Sequence, residues 1–96
     1  MKPTHIITIS YTASAELIDL IRPKHREFLD RGYAQGLFIA SGPNSAQNGG
    51  VILASGELGV IKALLQEDPF LVENVATYSY HSFDPVKHAK AYAAFI

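Results

Sequence analysis

Residues 22–29 read Arg22-Pro23-Lys24-His25-Arg26-Glu27-Phe28-Leu29, and the way this stretch folds decides how the rest of the chain is arranged. Its apolar spacing is helical. Proline lacks an amide hydrogen and clashes with the preceding turn, so Pro23 is expected in a first helical turn or at a kink. A proline there would fix the helix start, and with it the direction of His25. Phe28 and Leu29 follow His25 at three and four positions, so the three side chains share one helix face. A titratable ring on an apolar face has two readings. One is a core or interface histidine satisfied by a hydrogen bond; the other is a buried acid–base group tuned by its surroundings.

On the N-terminal side, Thr12 to Ser14 supply cap-type residues, and Leu17, Ile18, Leu20 and Ile21 carry an apolar stripe up to the proline. Before them, Thr4 to Tyr11 alternates and is rich in Ile and Thr, which predicts a strand. On the C-terminal side, Gly32 is expected to end the helix. Leu37 to Ser41 and Val51 to Ala54 read as strands joined by a polar loop from Gly42 to Gly50. Ser55 and Glu57 are expected to cap a second helix that buries Leu58, Ile61, Leu64 and Leu65 and is weakened by Gly59. Asp68-Pro69 should end it, with Phe70 and Leu71 tucked onto the core. Ala76 to Phe83 reads as a fourth strand, and Asp84-Pro85 as the start of a short C-terminal helix through Ala94.

The order is βαββαβ plus a tail helix. Right-handed crossovers turn it into an α+β, ferredoxin-like antiparallel sheet with both main helices on one face. The other face has no cover within the chain. Either Tyr78 and Tyr80, or Thr77, Ser79, His81 and Phe83, stand on it, and a second copy is the economical cover.

Ninety-six residues, 48% of them hydrophobic, fit one globular domain spanning 1–96. No apolar run is long enough to span a membrane, and Met1 to His5 lack the apolar segment behind a basic start that a signal peptide has, so none is expected. The absence of cysteine excludes disulfides and fits a cytoplasmic protein. Eight basic and nine acidic residues, without runs of either, leave no electrostatic footprint for nucleic acid or an anionic membrane. A small molecule or a second copy is the expected partner.

The four histidines lack metal-ligand spacing, so no metal is expected. His5 and His81 lie on strands that should be antiparallel neighbours, where their rings could approach. There is no nucleophile elbow at Ser41-Gly42-Pro43 and no phosphate-binding glycine loop. Asp68 remains beside His25 as a candidate, because a carboxylate near an imidazole orients the ring and selects its tautomer. Taken alone, Asp68 also reads as a helix-terminating residue bonded to nearby amides.

Arg22-Pro23-x-His25 with Leu29, Ser41-Gly42-Pro43, Gly49-Gly50, Asp68-Pro69-Phe70 and Phe83, in this order and spacing, resemble the YCII-related (YciI-like) domain family. The resemblance implies a dimeric α+β barrel like that of muconolactone isomerases and small monooxygenases. It implies an active site of His25 and Asp68, and one branch of the family is associated with dehydrochlorination of hydroxylated aromatics. The chain departs from the commoner pattern in the loop after Pro43, which has no acidic residue, and at Gly56 and Gly59.

The reading is therefore a small enzyme of lyase or isomerase type that needs no cofactor. His25 would shuttle a proton on a small cyclic or unsaturated substrate, Asp68 would orient the ring, and Arg22, Ser41, Gly42 and Pro43 would bind substrate. The competing reading is a non-catalytic dimeric module that binds a small ligand or another domain. Oxygen-using chemistry is a third class, without a motif to test it.

Overall fold

A computed structural model describes residues Met1–Ile96. Strand β1 (Thr4–Tyr11) leads into helix α1 (Ala15–Ala34), then strands β2 (Phe38–Pro43) and β3 (Gly49–Ser55). Helix α2 (Leu58–Leu65), the single turn α3 (Pro69–Val72) and strand β4 (Ala76–Phe83) complete the sheet, and a 3₁₀ helix (Lys90–Phe95) ends the chain. The sheet order is β2-β3-β1-β4 with every neighbouring pair antiparallel. This is the ferredoxin-like α+β arrangement.

The register settles which side chains face the helices. Ile7 pairs with Tyr80 and Ile52, and Ile9 with Tyr78 and Gly50. Side chains alternate along a strand, so Tyr78 and Tyr80 share the helix side with the buried Ile7, Ile9 and Ile52. Thr77, Ser79, His81 and Phe83 fall on the opposite face with Ile6, Thr8 and Leu53. Contrary to expectation the chain covers one end of this face, where the C-terminal segment bonds the buried Thr4 and Ser55, and leaves the rest open. His5 pairs with Ser82 and lies on the helix side, so His5 and His81 stand on opposite faces and do not meet.

Helix α1 differs from expectation in three ways. It is continuous through Pro23, which is interior rather than in the first turn. The cost of an interior proline, about 3 kcal/mol, is offset by the face that buries Ile18, Ile21, His25, Phe28 and Leu29. Leu17 and Leu20 lie off that face and are exposed. Gly32 does not end the helix. It is buried where α1 crosses β2, and a Cβ on it would run into the ring of Phe38. The chain turns at Gly36, whose φ of 71° favours glycine.

Three further expectations are corrected. Glu57 holds the N-cap position of α2 but makes no side-chain cap bond, and Ser55 instead donates its hydroxyl to the Phe95 carbonyl. Asp68-Pro69 does not merely end α2, which stops at Leu65; it opens α3. The tail has no α-helix at Asp84-Pro85. An isolated turn has too few hydrogen bonds to nucleate, so the segment stays irregular to Ala89 and closes as a 3₁₀ turn held by Tyr92 to Thr4 at 2.8 Å.

Candidate active site

The site is built where α1 and α3 meet the sheet. Asp68 precedes Pro69, which favours an extended backbone at Asp68 and supplies the first helical residue of α3. The carboxylate turns back to accept the Phe70 amide at 3.0 Å. That local cap also aims it at α1: His25 Nδ1 lies 2.8 Å from Asp68 Oδ1 and 3.0 Å from Oδ2. Both expected roles of Asp68, the amide-bonded helix residue and the histidine partner, are thus held by one side chain.

Asp68 is 0% exposed, and a buried charge requires donors. It has three: the His25 ring, the Phe70 amide and the Tyr78 hydroxyl, which donates to Oδ2. Since a carboxylate only accepts, Nδ1 carries the proton and the neutral ring keeps its lone pair on Nε2. The Tyr78 phenol is held well above the usual tyrosine range, chiefly by burial and then by the Asp68 charge. Tyr80 is raised for the same two reasons. The His25 ring also stacks on Phe70, centroids 4.0 Å apart at 15° between planes.

His25 Nε2 has no hydrogen-bond partner, yet no buried side-chain nitrogen or oxygen in the chain is left unpaired. Nε2 is therefore not sealed in the core, and His25 lines a cavity of about 180 Å³. Ile9, Leu29 and Ile52 supply apolar wall, and Arg22, Ser41, Gly42 and Pro43 all line the same space. The expected substrate-binding residues of α1 and β2 thus border one cavity with His25. Ser41 sits there with its hydroxyl 2.7 Å from that of Tyr33. The Arg22 guanidinium bonds Asp19, and this contact, with the nearby Tyr11 hydroxyl, raises its already high pKa. The loop beyond Pro43 is tied across its base: Asn44 Nδ2 donates to Asn48 Oδ1 at 2.7 Å, and the Asn48 amide to Asn44 Oδ1 at 3.1 Å.

His5 belongs to the scaffold. Its ring spans Ser82 Oγ and the Gly56 carbonyl, each at 2.7 Å, and is buried at the end of the sheet away from the cavity. Nowhere do three or more His, Asp or Glu side chains converge as metal ligands would.

Three participants are not apparent from sequence. Tyr78 could stand on either face of the sheet until β4 is paired in register, when the Ile7 and Ile9 parity of β1 decides it. Phe70 reads as core and as part of the Asp68-Pro69-Phe70 motif, without a sign that it stacks on His25. Arg26, which lines the cavity, lies one helical turn after Arg22, a spacing that could have pointed to it.

The family described as the YCII-related domain matches residues 4–84. One similar solved structure is 5-chloro-2-hydroxyhydroquinone dehydrochlorinase (TftG) from Burkholderia phenoliruptrix, in complex with 2,5-dihydroxybenzoquinone; it is 14% identical, with 92% of this chain and 97% of that one covered at a TM-score of 0.69. Another is a variant of SnoaB, a cofactor-independent oxygenase from Streptomyces nogalater, 13% identical over 93% of this chain and 97% of that one at a TM-score of 0.52. At these identities the likeness is one of fold. No curated protein matches.

Proposed function

The chain belongs to the YCII-related domain family, and from that premise we propose a small enzyme of lyase or isomerase type that moves a proton on a small cyclic or unsaturated substrate without a metal or organic cofactor. The observation that carries this reading is the division of His25 into two ends. Nδ1 is fixed on buried Asp68, and Nε2 is left without a partner in a ring that lines a cavity.

In the proposed step, Nε2 takes a proton from a carbon or hydroxyl of the substrate. The released electron pair moves into the conjugated system, where it shifts a double bond or expels a leaving group that departs with its electrons. His25 then returns the proton to another substrate atom or gives it to water. Asp68 keeps the ring oriented and stabilises the transient imidazolium. The Ser41 hydroxyl, or the backbone at Gly42, binds a substrate oxygen; Arg22 supplies positive charge and Pro43 closes the wall. The fold likeness to a dehydrochlorinase of a hydroxylated ring supports this reaction class.

The enzyme acts as a homodimer joined through the open part of the sheet face opposite the helices. Phe83 is 47% exposed there beside half-buried Ile6 and Leu53, in support of a second copy as cover.

One observation favours a second reading, a structural pair in a ligand-binding module: Asp68 is fully sealed and caps α3. Assays of the parent, His25→Asn and Asp68→Asn on hydroxylated single-ring compounds, starting with 5-chloro-2-hydroxyhydroquinone, separate the two. On the enzyme reading both variants lose at least about 10²-fold in turnover while remaining folded. An inactive parent whose variants dimerise more weakly supports the structural pair.

A further inference from the structure

We propose that the ligand of the His25 cavity is a single ring bearing a carboxylate, with the carboxylate held by Arg22 and Arg26 at the cavity mouth and the ring inside. This rests on the reading of the cavity as the substrate site and adds the class of molecule that enters it.

The charges around the cavity carry the inference. Its lining includes Arg22 and Arg26 and no acidic residue. An outer groove of about 490 Å³ runs beside it, under the loop after Pro43, and Arg22 and Arg26 line that groove too. The two arginines therefore stand where the inner and outer spaces meet. They are one helical turn apart, a spacing that brings both side chains to one face. Two cations so placed repel each other until an anion joins them.

Little in the protein takes that place. Arg22 is paired with Asp19, the one carboxylate on the groove wall, and Arg26 makes no ion pair. The Arg22–Asp19 contact is an exposed pair at i,i+3 spacing, of the sort that contributes little, so it yields readily to a ligand. Across the groove the loop offers Asn44, Ser45 and Gln47, with no acidic residue to neutralise the arginines. The guanidinium fork matches a carboxylate in two parallel hydrogen bonds, which selects this group over a lone oxygen atom.

Size limits the rest of the ligand. A cavity of about 150 Å³ is enough for benzene, so the inner space of about 180 Å³ accommodates one ring. A carboxylate at the arginines leaves the ring to the inner space, whose lining includes Ile9, Leu29, Ile52 and His25.

Titration calorimetry and histidine NMR with benzoate, benzamide and 4-nitrophenolate test the assignment. Benzoate should bind the parent at least roughly tenfold more tightly than benzamide, a preference of about 1.4 kcal/mol, and should shift the His25 ring resonances. Arg26→Gln should abolish that preference by weakening benzoate alone, and Arg26→Lys should restore part of it. Arg26 is exposed, so melting curves of both variants should match the parent. Equal binding of benzoate and benzamide, no binding of benzoate, or benzoate affinity unchanged in Arg26→Gln overturns the carboxylate clamp. Binding of 4-nitrophenolate as tight as benzoate also overturns it, in favour of a ring oxyanion. Failure of the acid–base reading looks different: Asp68→Asn would keep full turnover while the benzoate preference persisted.

Discussion

The His25 imidazole lies flat on the Phe70 ring, and the carboxylate that receives its N–H also receives the Phe70 backbone amide. Asp68 therefore fixes both halves of the stack. Phe70 cannot move away from the imidazole without leaving its cap, and the imidazole cannot rotate without losing Asp68. A side chain on α1 is thereby set by a single turn of helix 43 positions later.

Replacing Asp68 with Asn keeps the shape but turns one acceptor into a donor facing donors. Oδ1 can keep His25 and the Phe70 amide, but the new NH2 then faces the Tyr78 hydroxyl, which must turn to accept and gives up its own bond to a charged acceptor. A cost of about 1–3 kcal/mol is expected. Denaturant melts should show that loss in full, and a variant as stable as the parent would mean that the three donors are not all made to Asp68.

Tyr78 gives a signature at alkaline pH. Burial and Asp68 hold its folded pKa above the ordinary value. Below pH about 10 both folded and unfolded states keep the proton, and Tyr78 adds no pH dependence. Above it the unfolded chain releases the proton while the folded chain holds it, so stability falls as pH rises. Melts from pH 8 to 11 should show a steeper alkaline decline in the parent than in Tyr78→Phe. The variant keeps only the smaller part due to Tyr80. At pH 8 it should be less stable by about 1.5–3 kcal/mol, for the lost bond to a charged acceptor.

The strands were legible because their alternation is undisturbed: β1 and β4 run over the residues their pattern predicts, Thr4–Tyr11 and Ala76–Phe83. Periodicity alone could not choose the buried face of α1, since Leu17 and Leu20 are as apolar as Ile18 and Ile21. Packing chose the face that continues through His25, Phe28, Leu29 and Gly32. The partnership of His25 with Asp68 is a contact between distant segments that no local pattern encodes; the family motifs pointed to it. Tyr78 joins them through strand register, which appears only when β4 is laid beside β1. The tail departs from its local signal because Asp-Pro can start a helix but cannot sustain one, and Val86 and Lys87 are exposed with no packing to support it.

The dimer proposal is checked on the sheet face opposite the helices. Phe83→Glu places a charge on the same face as Ile6 and Leu53, opposite Thr4, without touching the helix side of the sheet. Sedimentation should change from dimer to monomer while the far-ultraviolet spectrum stays the same. A parent that is itself monomeric at micromolar concentration removes the proposal.

The loop of residues 44–48 should be mobile at its tip and held at its base. Amides of Ser45 and Ala46, which have no partner, should exchange fast, whereas Asn48, bonded to Asn44 Oδ1, should exchange more slowly. Asn44→Ala removes both cross-loop bonds. It should make Asn48 exchange as fast as the tip and leave the melting temperature almost unchanged, because the contacts are exposed. Strand-like protection at Ser45 and Ala46 would contradict a loop that opens over the cavity.

Pro23 is the position where stability and site geometry can be pulled apart. In mid-helix it supplies no amide to the Asp19 carbonyl one turn back, and its ring crowds that carbonyl. Pro23→Ala restores the donor and relieves the crowding, so the variant should be more stable, by up to about 3 kcal/mol. The side chain is exposed, and nothing is lost by removing it. Yet His25 follows two residues later, and any change in the path of α1 moves the imidazole against Asp68 and Phe70. A variant that melts higher and keeps the His25 ring resonances of the parent shows that the proline is tolerated rather than used. One that melts higher but shifts those resonances and loses turnover shows that the proline sets the angle at which His25 meets its carboxylate. A variant that melts lower would mean that α1 depends on its proline, and the cost assigned to Pro23 in mid-helix would then be wrong.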